Sequence, residues 1–200
     1  RGLKLRSSYG SFGTFRQLLL WAPPEAERET FGAAEYKTSD GFGQNRAGQA
    51  GNAVFQLRLG EGTFRYRVLG IVHAARADLA GVVRADDVAS GRVCFECVYP
   101  YPTARAQNAL AERGMIGFFV DYAGRSGDNG QLAAWIGYDV FRLQENFTGF
   151  IQSSQTLERT AGRGDLIEQQ NRTSSLGLSG RYRSAAYAPE RSRSRATART

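Results

Sequence analysis

Residues 52–75 read NAVFQLRLGEGTFRYRVLGIVHAA, and their alternation decides the fold class. Ala53, Phe55, Leu57 and Leu59 alternate with Asn52, Val54, Gln56 and Arg58. After Gly60-Glu61-Gly62, the residues Phe64, Tyr66, Val68, Gly70, Val72 and Ala74 alternate with Thr63, Arg65, Arg67, Leu69, Ile71 and His73. Successive side chains of a strand point to opposite faces, so period two marks two strands whose faces meet different surroundings. The glycines between them predict a tight turn and an antiparallel hairpin. The expected register sets Leu57 opposite Phe64, Phe55 opposite Tyr66 and Ala53 opposite Val68 on one apolar face. Gln56 then meets Arg65, and Arg58 meets Thr63, on the other. A slip of one residue would bring leucine against arginine, so the pairing of faces is strongly specified. A soluble sandwich and a membrane barrel both produce this pattern, and the rest of the chain has to separate them.

A second hairpin is expected over 115–141. Ile116, Phe118, Val120 and Tyr122 alternate with Gly117, Phe119 and Asp121 before the turn GRSGDNG, and Leu132, Ala134, Ile136, Tyr138 and Val140 return on one face. Pairing Tyr122 with Leu132, Val120 with Ala134 and Phe118 with Ile136 centres the loop on Gly127 and sets Phe119 against Trp135. Further strands are expected over 2–9, 12–21, 29–38 and 166–183.

The connections differ in length. Turns at 23–28, 60–62 and 124–130 are short, whereas 39–51, 76–113 and 142–165 are long and lack alternation. A structureless loop of that length counts against a compact soluble domain. Barrels of the outer membrane have short periplasmic turns and long outer loops. The fold class predicted is all-β, an antiparallel transmembrane β-barrel segment of about eight up-and-down strands. Residues 1–183 form the barrel part, and 184–200, SAAYAPERSRSRATART, a disordered basic tail. The inward face then carries Glu35, Gln56, Arg65, Arg67, Asp121 and Arg181 alongside Phe119 and Trp135. Tyr9, Trp21, Tyr36, Tyr138 and Tyr182 stand at strand ends, where interfacial girdles of a barrel lie.

Composition narrows the function classes. The net charge of +7 is almost wholly arginine, since Lys4 and Lys37 are the only lysines. These arginines are scattered, with no basic helix, so nucleic acid is not an expected partner. No run approaches the ~18 consecutive apolar residues of a transmembrane helix. The single histidine, His73, is expected as a plain polar residue at the end of a strand. With no Ser-His-acid or metal-ligating constellation, no enzyme activity, metal or cofactor is expected. Cys94 and Cys97 in CFEC make a poor zinc site without a second pair, and lack the βα context of a thioredoxin-type motif. A local disulfide in an exposed loop of an oxidising compartment and an inert pair of thiols both fit. The sequence has no initiating Met and no signal peptide, and a mature chain or a fragment of one is expected.

Several stretches resemble a known family. SYGSFGTFRQ at 8–17 is similar to the first barrel hairpin of TonB-dependent outer-membrane receptors, where a G-S-F-G-T-like stretch follows the plug. SDGFGQN at 39–45, ADLAGVV at 77–83, YPYPTARAQN at 99–108, NFTGF at 146–150 and GDLIEQQNRTSSLGLSGRYR at 164–183 follow in the family's order. The resemblance covers about residues 2–183 and rests on that order more than on any one motif. It implies a larger barrel of about 22 strands around a plug, of which this stretch is the first third. The plug, the TonB box and the remaining strands are expected outside it. The full-length protein would be a receptor of the Gram-negative cell outer membrane, importing an iron chelate (siderophore) or another scarce nutrient. Its partners would be outer-membrane lipids and, through the plug, the TonB energy-transducing complex. Ligand would be captured by outer loops, with Tyr99, Tyr101, Arg105, Gln107 and Asn108 as candidates. A complete small eight-stranded outer-membrane barrel with a structural or adhesive role is the alternative, and a soluble β-sandwich binding module the third reading.

Overall fold

The computed structural model describes residues 2–24, 29–147 and 165–185. Eight strands lie in one antiparallel sheet in chain order: β1 (Gly2–Gly10), β2 (Thr14–Ala22), β3 (Phe31–Ser39), β4 (Gly48–Leu59), β5 (Phe64–Asp78), β6 (Asn108–Ala123), β7 (Asn129–Glu145) and β8 (Ile167–Arg183). The expected all-β, up-and-down order holds. The sheet is open, because β1 pairs with β2 alone and β8 with β7 alone. The described residues contain no second sheet, so they do not form the two-layer sandwich.

The two faces of this single layer differ. One cross-strand row runs Leu3, Trp21, Gly32, Phe55, Gly70, Ile116, Ile136 and Leu176. Its neighbours on the same face include Leu19, Val72, Phe118, Leu132, Tyr138 and Leu178, all exposed. The ring of Phe55 lies over Gly70, where a Cβ would overlap it, so glycine interrupts the row without opening a gap. The opposite face holds all eight residues expected inward: Glu35, Gln56, Arg65, Arg67, Phe119, Asp121, Trp135 and Arg181. Ion pairs join Arg16 to Glu35, Arg67 to Asp121 at 3.1 Å, and Arg113 to Asp139. This face is not uniformly polar, since a row of Leu20, Ala33, Val54, Ile71 and Met115 crosses it.

Both expected registers are corrected by an even number of residues. Leu59 lies opposite Tyr66, Leu57 opposite Val68 and Phe55 opposite Gly70. The cause is the turn: Gly60 and Gly62 take φ of 80° and 88°, and the chain reverses over 60–63 rather than 60–62. In the second hairpin Val120 lies opposite Leu132 and Phe118 opposite Ala134, with Gly124 N donating to the carbonyl of Asp128 across a shorter turn. Phe119 therefore faces Ala133, and Trp135 faces Gly117 on one side and Gly177 on the other. Even shifts keep every side chain on its expected face.

The long connections are shorter than expected. β5 runs on to Asp78, β6 begins at Asn108 and β7 continues to Glu145. His73 accordingly stands inside β5 rather than at its end, with its Nδ1 2.6 Å from Asn52 Oδ1. In β5 and β6 these extensions carry Ala77, Ala109 and Ala111 on the inward face and Arg76, Asp78, Asn108 and Glu112 on the outward one, so the apolar-outward pattern of the rest of the sheet is absent there. Of the expected outer segment 142–165, residues 148–164 lie outside the described residues. So does the expected basic tail beyond Ala185, whose backbone N–H donates to Asp128 Oδ1.

Candidate functional site

Most of the buried hydrophobic side chains lie in the connection between β5 and β6 rather than in the sheet. Val93, Val98, Tyr99 and Ala104 are buried together, whereas Ala133 is the one sheet hydrophobic of that class among the described residues. The connection contains a five-residue helix, α1 (Ala85–Ala89), and a 3-10 turn (Pro102–Ala106) opened by proline at its start. Proline there fixes φ and lacks an N–H that the first turn would leave unpaired. Together they form a cap at the long-loop end of the sheet.

Three features fix the cap. Cys94 and Cys97 are joined in a disulfide, with Cα atoms 5.0 Å apart. The disulfide turn is clipped to the β3–β4 loop: Gln44 N donates to the carbonyl of Glu96 at 3.0 Å, and Val98 N donates to Gln44 Oε1 at 3.3 Å. Tyr99 is the pivot of the helix side. Its hydroxyl donates to Asp87 Oδ2 at 2.6 Å and accepts from Arg84 N at 3.2 Å. Burial, then the bond to Asp87, push the Tyr99 phenol above its ordinary pKa. Outside, Arg84 hydrogen-bonds Asp86 and holds that carboxyl below its ordinary value.

The residues expected to touch a ligand divide into two groups. Gln107 is buried and its side chain closes the base of the cap: Nε2 donates to the carbonyl of Ala104 at 3.0 Å, and Oε1 accepts from Asn146 N at 2.8 Å. Gly81, at φ 70°, lies so close to that amide that a Cβ there would collide with it. Asn108 is equally engaged, donating to Ala106 O and Gln144 Oε1 and accepting from Arg142. These two hold the connections together. Tyr99, Tyr101 and Arg105 instead line one open cavity of about 580 Å³. The structure adds Arg92 and Gln44 to that lining. Arg92 stands two residues before Cys94, so a bridged CFEC turn would have drawn attention to it; Gln44 comes from another connection and carries no sequence signal.

The cavity wall is aromatic and cationic. The Tyr99 and Tyr101 rings stack at 5.4 Å. Arg92 donates from one Nη to the Tyr101 hydroxyl at 3.2 Å and from the other to Asp87 at 3.4 Å. Arg105 is exposed and bonds to no described residue. No carboxylate among the described residues lines the cavity. Among the described residues no group of three His, Cys, Asp or Glu side chains converges to hold a metal ion. Beside the cap, Arg46 lies 4.9 Å over the exposed ring of Phe42. Comparison with protein-family models, with curated proteins and with solved structures gave no match.

Proposed function

We propose that this sheet is part of the barrel of a TonB-dependent outer-membrane receptor. The full-length protein then takes up an iron chelate (siderophore) or another scarce nutrient. The observation that carries the membrane part is the uncovered apolar face. A single layer must bury its apolar side against something, and exposed apolar surface of this extent marks contact with protein or membrane. Here Val72, Ile116, Leu132, Ile136, Leu176 and Leu178 are 48–77% exposed. The extent of the band supports lipid as the cover. From Phe64 to Ala74 the outward row of β5 spans ten residue steps, about 33 Å along the strand and about 25 Å after a barrel's tilt near 40°. The apolar band of a membrane barrel is about 25 Å tall. On four consecutive strands the same outward row then turns charged, at Arg76, Glu112, Arg142 and Arg172. Rings at the opposite strand ends, Phe64, Tyr122 and Tyr182, follow one another in contact, tilted at 5.3 Å and stacked at 6.5 Å, as an interfacial girdle would.

The open edges favour a larger barrel over the small eight-stranded one. Unpaired backbone along β1 and β8 is a template for further strands. The ion pairs and arginines of the second face suit a wide or plugged interior rather than a narrow packed one. The family, its substrate class and its TonB partner rest on the ordered motifs, with the cap as the candidate for ligand capture. Cell fractionation tests the membrane reading. The full-length protein is expected in the outer-membrane fraction, retained through an alkaline wash and released by detergent. Recovery in the soluble fraction without detergent would overturn it.

A further inference from the structure

We propose that the cap cavity binds organic anions that carry a ring or another flat apolar body. This stands on the cap alone and does not depend on the sheet lying in a membrane. The volume, about 580 Å³, falls in the range of small-molecule sites. The lining supplies the two parts such a ligand needs. Tyr101, backed by the buried ring of Tyr99, offers apolar surface together with the rings of Pro100 and Pro102. Arg105 and Arg92 offer two guanidinium groups, of which Arg92 is paired with Asp87 behind the wall and Arg105 with no described carboxylate.

The two arginines are not equivalent. Arg92 is held by Asp87 and the Tyr101 hydroxyl, so it contributes an oriented, partly satisfied cation. Arg105 uses none of its five donors on any described residue. The Tyr101 hydroxyl accepts from Arg92 and keeps its own proton for a ligand oxygen. A guanidinium with its fork free matches a carboxylate or phosphate group in two parallel bonds. The bound orientation follows: the anionic head on Arg105 and Tyr101, the ring against the tyrosine and proline wall. The disulfide and the clip to Gln44 keep that wall in place before binding, which reduces the ordering cost.

The test uses the full-length protein purified from whichever cell fraction holds it, so its outcome is separable from the membrane reading. Benzoate, phenyl phosphate, benzyl alcohol and benzylamine are titrated and followed by saturation-transfer NMR. Benzoate or phenyl phosphate is expected to bind, with benzyl alcohol and benzylamine at least tenfold weaker. Arg105→Ala should weaken the anion by about tenfold or more, the value of one charge-assisted contact, and Arg105→Lys should retain part of the loss. Arg105 is exposed and bonded to nothing described, so neither change disturbs folding. No binding of either anion, equal binding of benzyl alcohol, or unchanged affinity in Arg105→Ala would each overturn the proposal.

Discussion

Replacing Ile136 by arginine separates a lipid-facing sheet from a water-facing one. Ile136 lies at the middle of the outward row of β7, between Ala134 and Tyr138, with Ile116 and Leu176 across from it. Its side chain is 55% exposed. On a surface in water, such a substitution changes stability by no more than about 0.5 kcal/mol. At the midplane of a bilayer the same change costs about 2–4 kcal/mol, a factor of about 30–700 in the folding equilibrium. The cost should fall with depth, so Tyr182→Arg at the end of β8 should lose no more than about 1 kcal/mol. Thr173→Arg on the opposite face is the control and should change stability by less than about 0.5 kcal/mol. The assay is equilibrium unfolding of the full-length protein in phospholipid vesicles, with guanidinium and tryptophan fluorescence. Ile136→Arg within 0.5 kcal/mol of the parent, or Thr173→Arg as costly as Ile136→Arg, would refute the assignment of faces to lipid and interior.

Three further outcomes follow from the cap. Without reductant, Cys94 and Cys97 should resist thiol labelling, and full labelling of both would refute the bond. An epitope tag at exposed Ser90 should be reached by antibody on intact cells and one at Gly127 should not, since the two lie at opposite ends of the sheet; the reverse pattern would invert the topology. Tyr99→Phe should destabilise the cap by about 1–2 kcal/mol through its two lost hydrogen bonds. The folded cap holds the Tyr99 proton more tightly than the unfolded chain. Its contribution is therefore full below the ordinary tyrosine value near 10 and lost as pH rises through the folded value. Hydrogen exchange of cap amides against pH reads this, and an alkaline loss that persists in Tyr99→Phe would contradict it.

The faces of the sheet were legible in the sequence because the alternation in β4–β7 is strong. Register was legible only to within an even shift. Leu57 can face Phe64 or Val68 with no change of face, and only the backbone of Gly60 and Gly62 decides between them. The upper parts of β5 and β6 were invisible for a related reason. There Ala75, Ala77, Ala109 and Ala111 lie on the inward face and Arg76, Asp78, Asn108 and Glu112 on the outward one, so the apolar-outward alternation that marks the rest of the sheet is lost. At the cap, the tyrosines and Arg105 are singled out through the resemblance, which places ligand capture in outer loops such as YPYPTARAQN. The structural parts of Gln107 and Asn108 could not be read in this way, because their partners, Asn146 and Arg142, come from a strand and loop far along the chain. The burial of Tyr99 likewise depends on Asp87 and Arg84, which nothing in YPYPTARAQN indicates.

Spin labels along β7 show whether the apolar face of the sheet meets hydrocarbon. Single cysteines are placed in turn from Gln131 to Val140 in the full-length protein, whose own Cys94 and Cys97 are bonded to each other and take no label. In phospholipid vesicles, relaxation by oxygen, which concentrates in hydrocarbon, is compared with relaxation by a water-soluble nickel chelate. A period of two is expected. Labels at Leu132, Ala134, Ile136, Tyr138 and Val140 should favour oxygen, most strongly at Ile136, and labels at Gln131, Ala133, Trp135, Gly137 and Asp139 should not. Equal nickel access at both sets of positions, or oxygen preference on the odd-numbered set, would contradict it.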